Sequence, residues 1–305
     1  MKEFKKIAIA LIGFCVCFLV LDFGVGKFFD WAIKQLPSEG ERVAKSEYVI
    51  NKADADFLVI GSSRASAHYD SKVIKDRHPE YSVFNCGIDG QLFYYINTAF
   101  NCIMDRYTPK VVVWDFQLKD FAEDDPENLS LLYPYYYKNE QVKNILDSTD
   151  VTLKYILWNN AYRYNGTAGR ILRAMRVSES GKMGFSAHAT TDASRKFTAK
   201  DEVHEGEVLI ERKVDLIEKT LTRAQEKGIK VVLCVSPMYM KVCGTCATNE
   251  FLEKLSKKYD CQFVNAYQWE EFLRNDKYWY DAGHLNAVGA ELFTKTLMDS
   301  INGND

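Results

Sequence analysis

A chain of 305 residues with 47% hydrophobic and 27% charged residues, and only 6 Pro and 17 Gly, has the material for one large α/β body or two small ones. That composition excludes disordered, collagen-like and polytopic membrane chains. The formal charge of −3, from 39 Lys+Arg against 42 Asp+Glu, excludes a surface built throughout to bind nucleic acid, and no nucleic-acid partner is expected.

Lys2, Lys5 and Lys6 precede an apolar run over residues 7–21, which Asp22 interrupts and Phe23, Gly24 and Val25 resume. Charged flank and apolar stretch together have the form of a signal sequence, and residues 7–25 approach the roughly 20 that a bilayer helix needs. Asp22 is expected near the outer end, where its carboxylate reaches the lipid headgroups. Cleavage around Gly24-Val25-Gly26 and retention as an anchor are both open. The aromatic residues that follow, Phe28, Phe29 and Trp31, sit where an anchor meets the interface and favour retention. Neither Cys15 nor Cys17 follows a small residue, which argues against lipoprotein cleavage. The expected organisation is an anchor over 1–36 and an α/β domain over 37–305, outward-facing because the lysines stay inside.

Five short runs are apolar on consecutive positions: 57–60, 81–84, 111–114, 229–235 and 262–264. Continuous apolarity marks strands buried on both faces, as in a parallel sheet covered by helices. Helical patterns are predicted over about 66–78, 91–106, 208–227, 247–258 and 287–301. The alternation gives a doubly wound α/β domain, in which chemistry sits beyond the carboxyl ends of the strands. Residues 120–205 break the rhythm and are expected to be an insertion with structure of its own. Within it, residues 151–200 hold nine Lys/Arg against two acids, a local charge of about +7, with Tyr155, Trp158, Tyr162 and Tyr164 interspersed. This patch reads either as a solvated helix face with core aromatics or as a cradle for an anionic polymer or a membrane surface.

The first strand runs into Gly61-Ser62-Ser63-Arg64, which presents a serine at a sheet edge and at the start of a helix. There its hydroxyl is exposed and its N–H is available to an oxyanion, although turn and capping chemistry also explains such a sequence. Near the other end, Asp281 and His284 are three residues apart in a loop before the last helix. That spacing lets the carboxylate bond one imidazole nitrogen and leaves the other for a nucleophile. Asn286 is a plausible cap for the closing helix.

Taken with Asn85-Cys86-Gly87 after the second strand, these blocks resemble those of the SGNH, or GDSL-like, hydrolase superfamily, over residues 54–120 and 206–301. The resemblance implies a flavodoxin-like three-layer sandwich with a parallel five-stranded sheet. It also implies acyl-ester chemistry, with Ser63 as nucleophile, His284 as base, Asp281 as its orienter, and the N–H groups of Ser63 and Gly87 on the oxyanion. Anchored members of this type with a large insertion move or remove acyl groups on cell-envelope polymers. The implied partners are therefore an anionic or acylated envelope polysaccharide, a membrane protein that donates the acyl group, and the membrane itself through the N-terminal helix. Two positions depart from the pattern. Ser62 replaces the usual Asp, and the block that carries an oxyanion-binding Asn is Trp114-Asp115-Phe116-Gln117 here. An ionised Asp115 facing the oxyanion would repel it, so either Gln117 supplies the donor, with Arg64 on the substrate side, or the site is weaker than a typical esterase; Asp115 reads equally as a residue that closes its strand and bonds nearby backbone. The competing reading is a degenerate member that binds envelope polysaccharide or assists its assembly without chemistry.

Of 8 Cys, Cys243 and Cys246 form a C-x-x-C after a strand, the placement of a thioredoxin-like redox pair. No Pro follows Pro237, so the cis-proline of that fold is missing, and the pair reads instead as a disulfide pinning its loop. Cys86, Cys102, Cys234 and Cys261 read as small buried hydrophobes. Zinc is set aside because no second closely spaced Cys/His pair accompanies the first. His68, His78, His188 and His204 are expected at the surface. No glycine-rich phosphate loop is present, and no cofactor or metal is expected.

Overall fold

The structure, a computed structural model, describes residues 1–123, 128–178, 180–188 and 201–302. Elements follow in the order α1 (Lys2–Lys34), α2 (Arg42–Asn51), β1 (Phe57–Ile60), α3 (Ser63–His68), α4 (Ser71–Arg77), β2 (Val83–Asn85), α5 (Phe93–Arg106) and β3 (Val111–Asp115). The insertion supplies α6 (Glu140–Thr149), α7 (Leu153–Ile156), α8 (Asn160–Asn165) and α9 (Ala168–Ala174), and ends in β4 (Glu202–His204). Then come α10 (Glu211–Glu226), β5 (Lys230–Val235), β6 (Val242–Gly244), α11 (Ala247–Tyr259), β7 (Gln262–Asn265) and α12 (Ala287–Asn302).

Strands β2-β1-β3-β5-β7 form one parallel sheet in that order, the flavodoxin-like arrangement. Its continuous apolar runs arise because successive side chains enter two different cores. Leu58, Ile60, Val112, Trp114 and Leu233 pack with Ala44, Phe100, Ile217 and Leu252 of α2, α5, α10 and α11. Phe57, Val59, Val111, Val113 and Val232 pack with Ile74 of α4 and Ala290, Phe293 and Leu297 of α12. The strand order reverses between β1 and β3, which opens a crevice at their carboxyl ends.

Three local differences from the sequence reading have physical causes. The helix expected over 66–78 is two, because the Asp70 carboxylate accepts from the N–H groups of Lys72 (2.8 Å) and Val73 (3.4 Å) and starts α4 afresh. The second strand begins at Val83, two residues later than expected. A separate two-stranded parallel ribbon, β4 with β6, joins the end of the insertion to the segment after β5.

Helix α1 is a single 33-residue helix whose apolar first two thirds are largely exposed and whose last turns pack on the domain, with Ala32 and Ile33 buried, as is Leu36 just beyond its end. Asp22 is not at the surface. It is buried and accepts from the N–H groups of Asn160 (3.0 Å) and Ala161 (2.8 Å), so it caps α8 of the insertion. Further along, Asp30 accepts from Tyr164 Oη at 2.5 Å and pairs with Lys138, while Phe29 stacks on Tyr164 at 5.2 Å.

The basic patch divides. Arg163 is buried against Asn160 and Tyr137 and serves packing, whereas Arg173 is exposed and pairs with Glu41 at the surface. Tyr164 is a core aromatic, whereas Tyr155, Trp158 and Tyr162 are exposed. Arg195, Lys196, Lys200, Asp192 and Glu179 lie outside the described residues.

Candidate active site

The crevice at the switch point brings together residues 221 positions apart. Ser63 opens α3 directly after β1, and His284 arrives on the loop before α12. Its Nε2 lies 2.8 Å from Ser63 Oγ. On the other side of the ring, Nδ1 lies 2.9 Å and 3.1 Å from the two carboxylate oxygens of Asp281. A carboxylate accepts only, so Nδ1 carries the proton and Nε2 is free to accept from the serine hydroxyl. Burial works against the Asp281 charge, but N–H bonds from Gly283 (2.8 Å) and His284 (2.9 Å) and the nearby imidazole outweigh it and hold the carboxyl below its usual value.

The loop itself is fixed from both ends. Trp279 and Leu285 form an antiparallel bridge, and Asn286 caps α12 by accepting from Gly289 N at 2.9 Å. The Asn286 amide also donates to the carbonyls of Lys277 and Trp279, at 2.8 and 3.3 Å.

Around the serine, the structure distributes the remaining candidate residues in two ways. Gln117 Nε2 lies 3.0 Å from Ser62 Oγ, at the rim of the crevice, where an amide donor can serve a reacting carbonyl. Gly87 N–H donates to Asn85 Oδ1 at 2.9 Å, and the Asn85 amide in turn donates to the carbonyls of Ala65 (2.7 Å) and Tyr69 (3.0 Å). Gly87 is packed so closely on α3 that an added Cβ would lie 2.4 Å from Ser66 N.

Asp115 takes the strand-closing one of its two expected roles, and Arg64 does not face the crevice as expected. Asp115 is buried, and its Oδ1 accepts from Tyr69 Oη (2.7 Å) and Ser236 N (3.0 Å) while Oδ2 faces Arg64 Nε at 3.8 Å. Arg64 is buried too and donates to Phe116 O at 2.5 Å. Burial raises the Asp115 carboxyl above its usual value, against the opposing pull of Arg64 and the Tyr69 and Ser236 bonds. The pair ties α3 to the ends of β3 and β5 beneath the site, because a carboxylate ending a buried strand needs its bonds from inside.

No family model matches this sequence, and no curated protein is significantly similar to it. Among solved structures, the chain is similar to a presumed acylhydrolase from Bacteroides fragilis, at 14% identity and a TM-score of 0.42 over 81% of this chain and 86% of that one. It is similar also to a presumed platelet activating factor from Streptococcus pneumoniae, at 11% identity and a TM-score of 0.42 over 92% of this chain and 98% of that one.

Two histidines expected at the surface belong to the site's surroundings. His68, at the end of α3, is fully buried, and its Nε2 accepts from Leu285 N at 3.1 Å, which ties the helix that Ser63 opens to the His284 loop. Burial, Arg64 and the neighbouring imidazoles hold it well below the ordinary histidine value, as a neutral acceptor. His188, from the insertion, stacks on Tyr280 at 4.5 Å and has its ring 5.3 Å from that of His284. The one available signal for His68 was its position five residues after Ser63. For His188 there was none, since it reaches the site through tertiary packing alone.

Cys243 and Cys246 are both free thiols, contrary to the expected disulfide. The Cys246 thiol, at the cap of α11, donates inward to Leu118 O at 3.1 Å, while Cys243 is held on β6 opposite Val203. His204 is also buried, between Glu202 and Glu207.

Proposed function

We propose that this chain is a membrane-anchored serine O-acyl esterase or acyltransferase, acting outside the cytoplasmic membrane on an acylated sugar hydroxyl of an envelope polysaccharide.

 The observation that carries this reading is the unbroken relay from Ser63 Oγ to His284 Nε2 (2.8 Å) and from His284 Nδ1 to Asp281 (2.9 Å). Ser63 attacks the acyl carbonyl as His284 takes its proton. Collapse of the tetrahedral intermediate expels the sugar oxygen, which leaves with that proton, and Ser63 keeps the acyl group. Water or a second sugar hydroxyl then repeats the steps in reverse. Asp281 holds the imidazole tautomer and balances the imidazolium. Ser63 N–H and the Gln117 amide supply the oxyanion donors, the second by leaving Ser62 for the substrate oxygen.

The anchor reading is supported by α1, which is long and apolar enough to cross a bilayer, with Phe28 and Trp31 exposed just beyond. Exposed Tyr155 and Trp158 stand on the α7–α8 corner, next to the cap that Asp22 makes, which suits a corner resting on the membrane surface. The exposed cations of the insertion supply the attraction for an anionic polymer. One observation favours the non-catalytic alternative: Gly87 N–H is already bonded to Asn85 and so is not offered to an oxyanion.

Turnover of nitrophenyl acetate separates the two. Ser63→Ala and His284→Ala are each expected to lower it by at least about 10³-fold, and the double variant hardly more, because the pair acts as a unit. Wild-type turnover that survives Ser63→Ala, or that is absent with every ester tried, decides for the binding protein.

A further inference from the structure

We propose that His204, Glu207 and Cys246 form a zinc site that fastens the β4–β6 ribbon to the start of α11. One nitrogen of His204, a carboxylate oxygen of Glu207 and the Cys246 sulfur lie within 4.8 Å of one another. Imidazole, carboxylate and thiolate together are a donor set for zinc, whereas calcium and magnesium call for oxygen throughout. His204 is 1% exposed and Cys246 4%, so the donors converge in the interior and not on a solvated face.

The arrangement around the three donors supports a built site. His204 Nδ1 lies 2.5 Å from Glu207 Oε1, and its Nε2 lies 3.4 Å from Glu202 Oε2. With zinc on Nδ1, Glu202 becomes the carboxylate that accepts from Nε2–H and orients the ring, a recurring partner of ligating histidines. The other Glu207 oxygen accepts from Ala247 N at 3.0 Å, which aims that carboxylate from the first residue of α11. Bond lengths of about 2.0–2.3 Å in a tetrahedron put ligand atoms about 3.3–3.8 Å apart, so His204 and Glu207 separate by about 1 Å on binding. Zinc's two charges are met by the Glu207 carboxylate and the Cys246 thiolate, and the Cys246 proton is released together with any proton held between His204 and Glu207. Lys119, the cation that Glu202 and Glu207 act on, is paired with Glu123 at 2.8 Å.

The sequence pattern is two pairs with the same gap, His204-x-x-Glu207 and Cys243-x-x-Cys246. The second short pair that zinc requires is present, with glutamate in place of a second histidine. The fold brings the pairs together because β4 and β6 run parallel with His204 opposite Gly244. At Gly244, with φ +82°, an added Cβ would lie 2.2 Å from His204 O, so only glycine permits this approach. Water completes the coordination.

A ribbon of two three-residue strands is marginal by itself, and a metal supplies the missing stability.

The test uses the tag-free, full-length protein in detergent under reducing conditions. Metal analysis after zinc loading and desalting is expected to find about one equivalent. A chelator should lower the thermal midpoint and zinc should restore it. Reloading with Co²⁺ should give a thiolate-to-cobalt charge-transfer band in the near ultraviolet that is lost in Cys246→Ser. Less than about a tenth of an equivalent in the loaded wild type overturns the proposal, as does a cobalt band that survives Cys246→Ser. If Cys246→Ser does not fold, the zinc content and chelator response of the wild type decide alone.

Discussion

Replacing Asp115 by Asn tests whether the carboxylate at the end of β3 acts on the substrate or on the fold. The Asn oxygen can keep the bonds from Tyr69 (2.7 Å) and Ser236 N (3.0 Å), but its amide then meets the Arg64 guanidinium where Oδ2 stood 3.8 Å away. The exchange sets donor against donor and leaves a buried cation without its counter-charge. Breaking a buried pair from one side costs about 3–5 kcal/mol. Arg64 keeps its bond to Phe116 O, which trims the expected loss to about 2–4 kcal/mol. For a protein of this size that is a fall of about 5–10 °C in the thermal midpoint. Urea unfolding and calorimetry measure it, with esterase turnover per folded molecule followed alongside. Turnover is expected to stay within about tenfold of wild type, since the carboxylate lies beneath the site. A variant of wild-type stability whose turnover rises toward the 10²-fold that one oxyanion donor is worth would refute this placement and put Asp115 in the oxyanion pocket.

Gly87→Ala forces a methyl to within 2.4 Å of Ser66 N and 2.7 Å of Ala65 C, which are backbone atoms that cannot step aside. A loss of at least about 2 kcal/mol is expected on urea unfolding, and wild-type stability would contradict the packing. His68 is held below the ordinary histidine value of 6.5, so the unfolded chain binds its proton first. Its contribution is therefore complete above pH 6.5 and is lost as the pH falls toward the folded value, at up to about 1.4 kcal/mol per unit. Asp120, pushed up to about 6 by burial, works in the opposite sense between about 6 and 4, so the comparison is wild type against His68→Gln at each pH. Equal pH slopes in the two proteins would show that His68 does not titrate as described. A chain beginning at Ser38 lacks Ala32, Ile33 and Leu36 from the core and is expected to be about 3–6 kcal/mol less stable than one beginning at Asp22. Identical urea midpoints would show that the last turns of α1 contribute nothing.

The sheet was readable because both faces of each strand are covered, which leaves consecutive apolar residues such as 57–60 and 111–114 in the sequence. Ser63, Asp281 and His284 could be singled out because their local settings, a strand end and a short loop, are written within a few residues each. For Asp115 the same local reasoning left two roles open. Its position after β3 says that it lies near the crevice, but the side that its carboxylate takes depends on Tyr69 and Ser236, which are 46 and 121 residues away. His68, His188 and His204 share that cause, since burial of a histidine is decided by what packs over it. The C-x-x-C spacing permits a disulfide, a metal site or two free thiols, and the β4–β6 pairing that distinguishes them joins segments about 40 residues apart.

The grip of the insertion on α1 has a mechanical consequence. From Asp22, where α8 is capped, to Lys34 the helix continues for about 18 Å without a flexible joint. With α1 embedded as proposed, the serine does not roam a hemisphere on a loose tether. It rides at a set altitude and heading over the bilayer, so its effective concentration is high for polymer strands that pass at that height and falls steeply for others. Four residues added to the helix between Leu21 and Asp22 would lift the crevice by about 6 Å and swing it by about 40°, leaving every contact within the domain intact. Selection among envelope polymers would then be set by elevation and bearing as much as by the shape of the crevice.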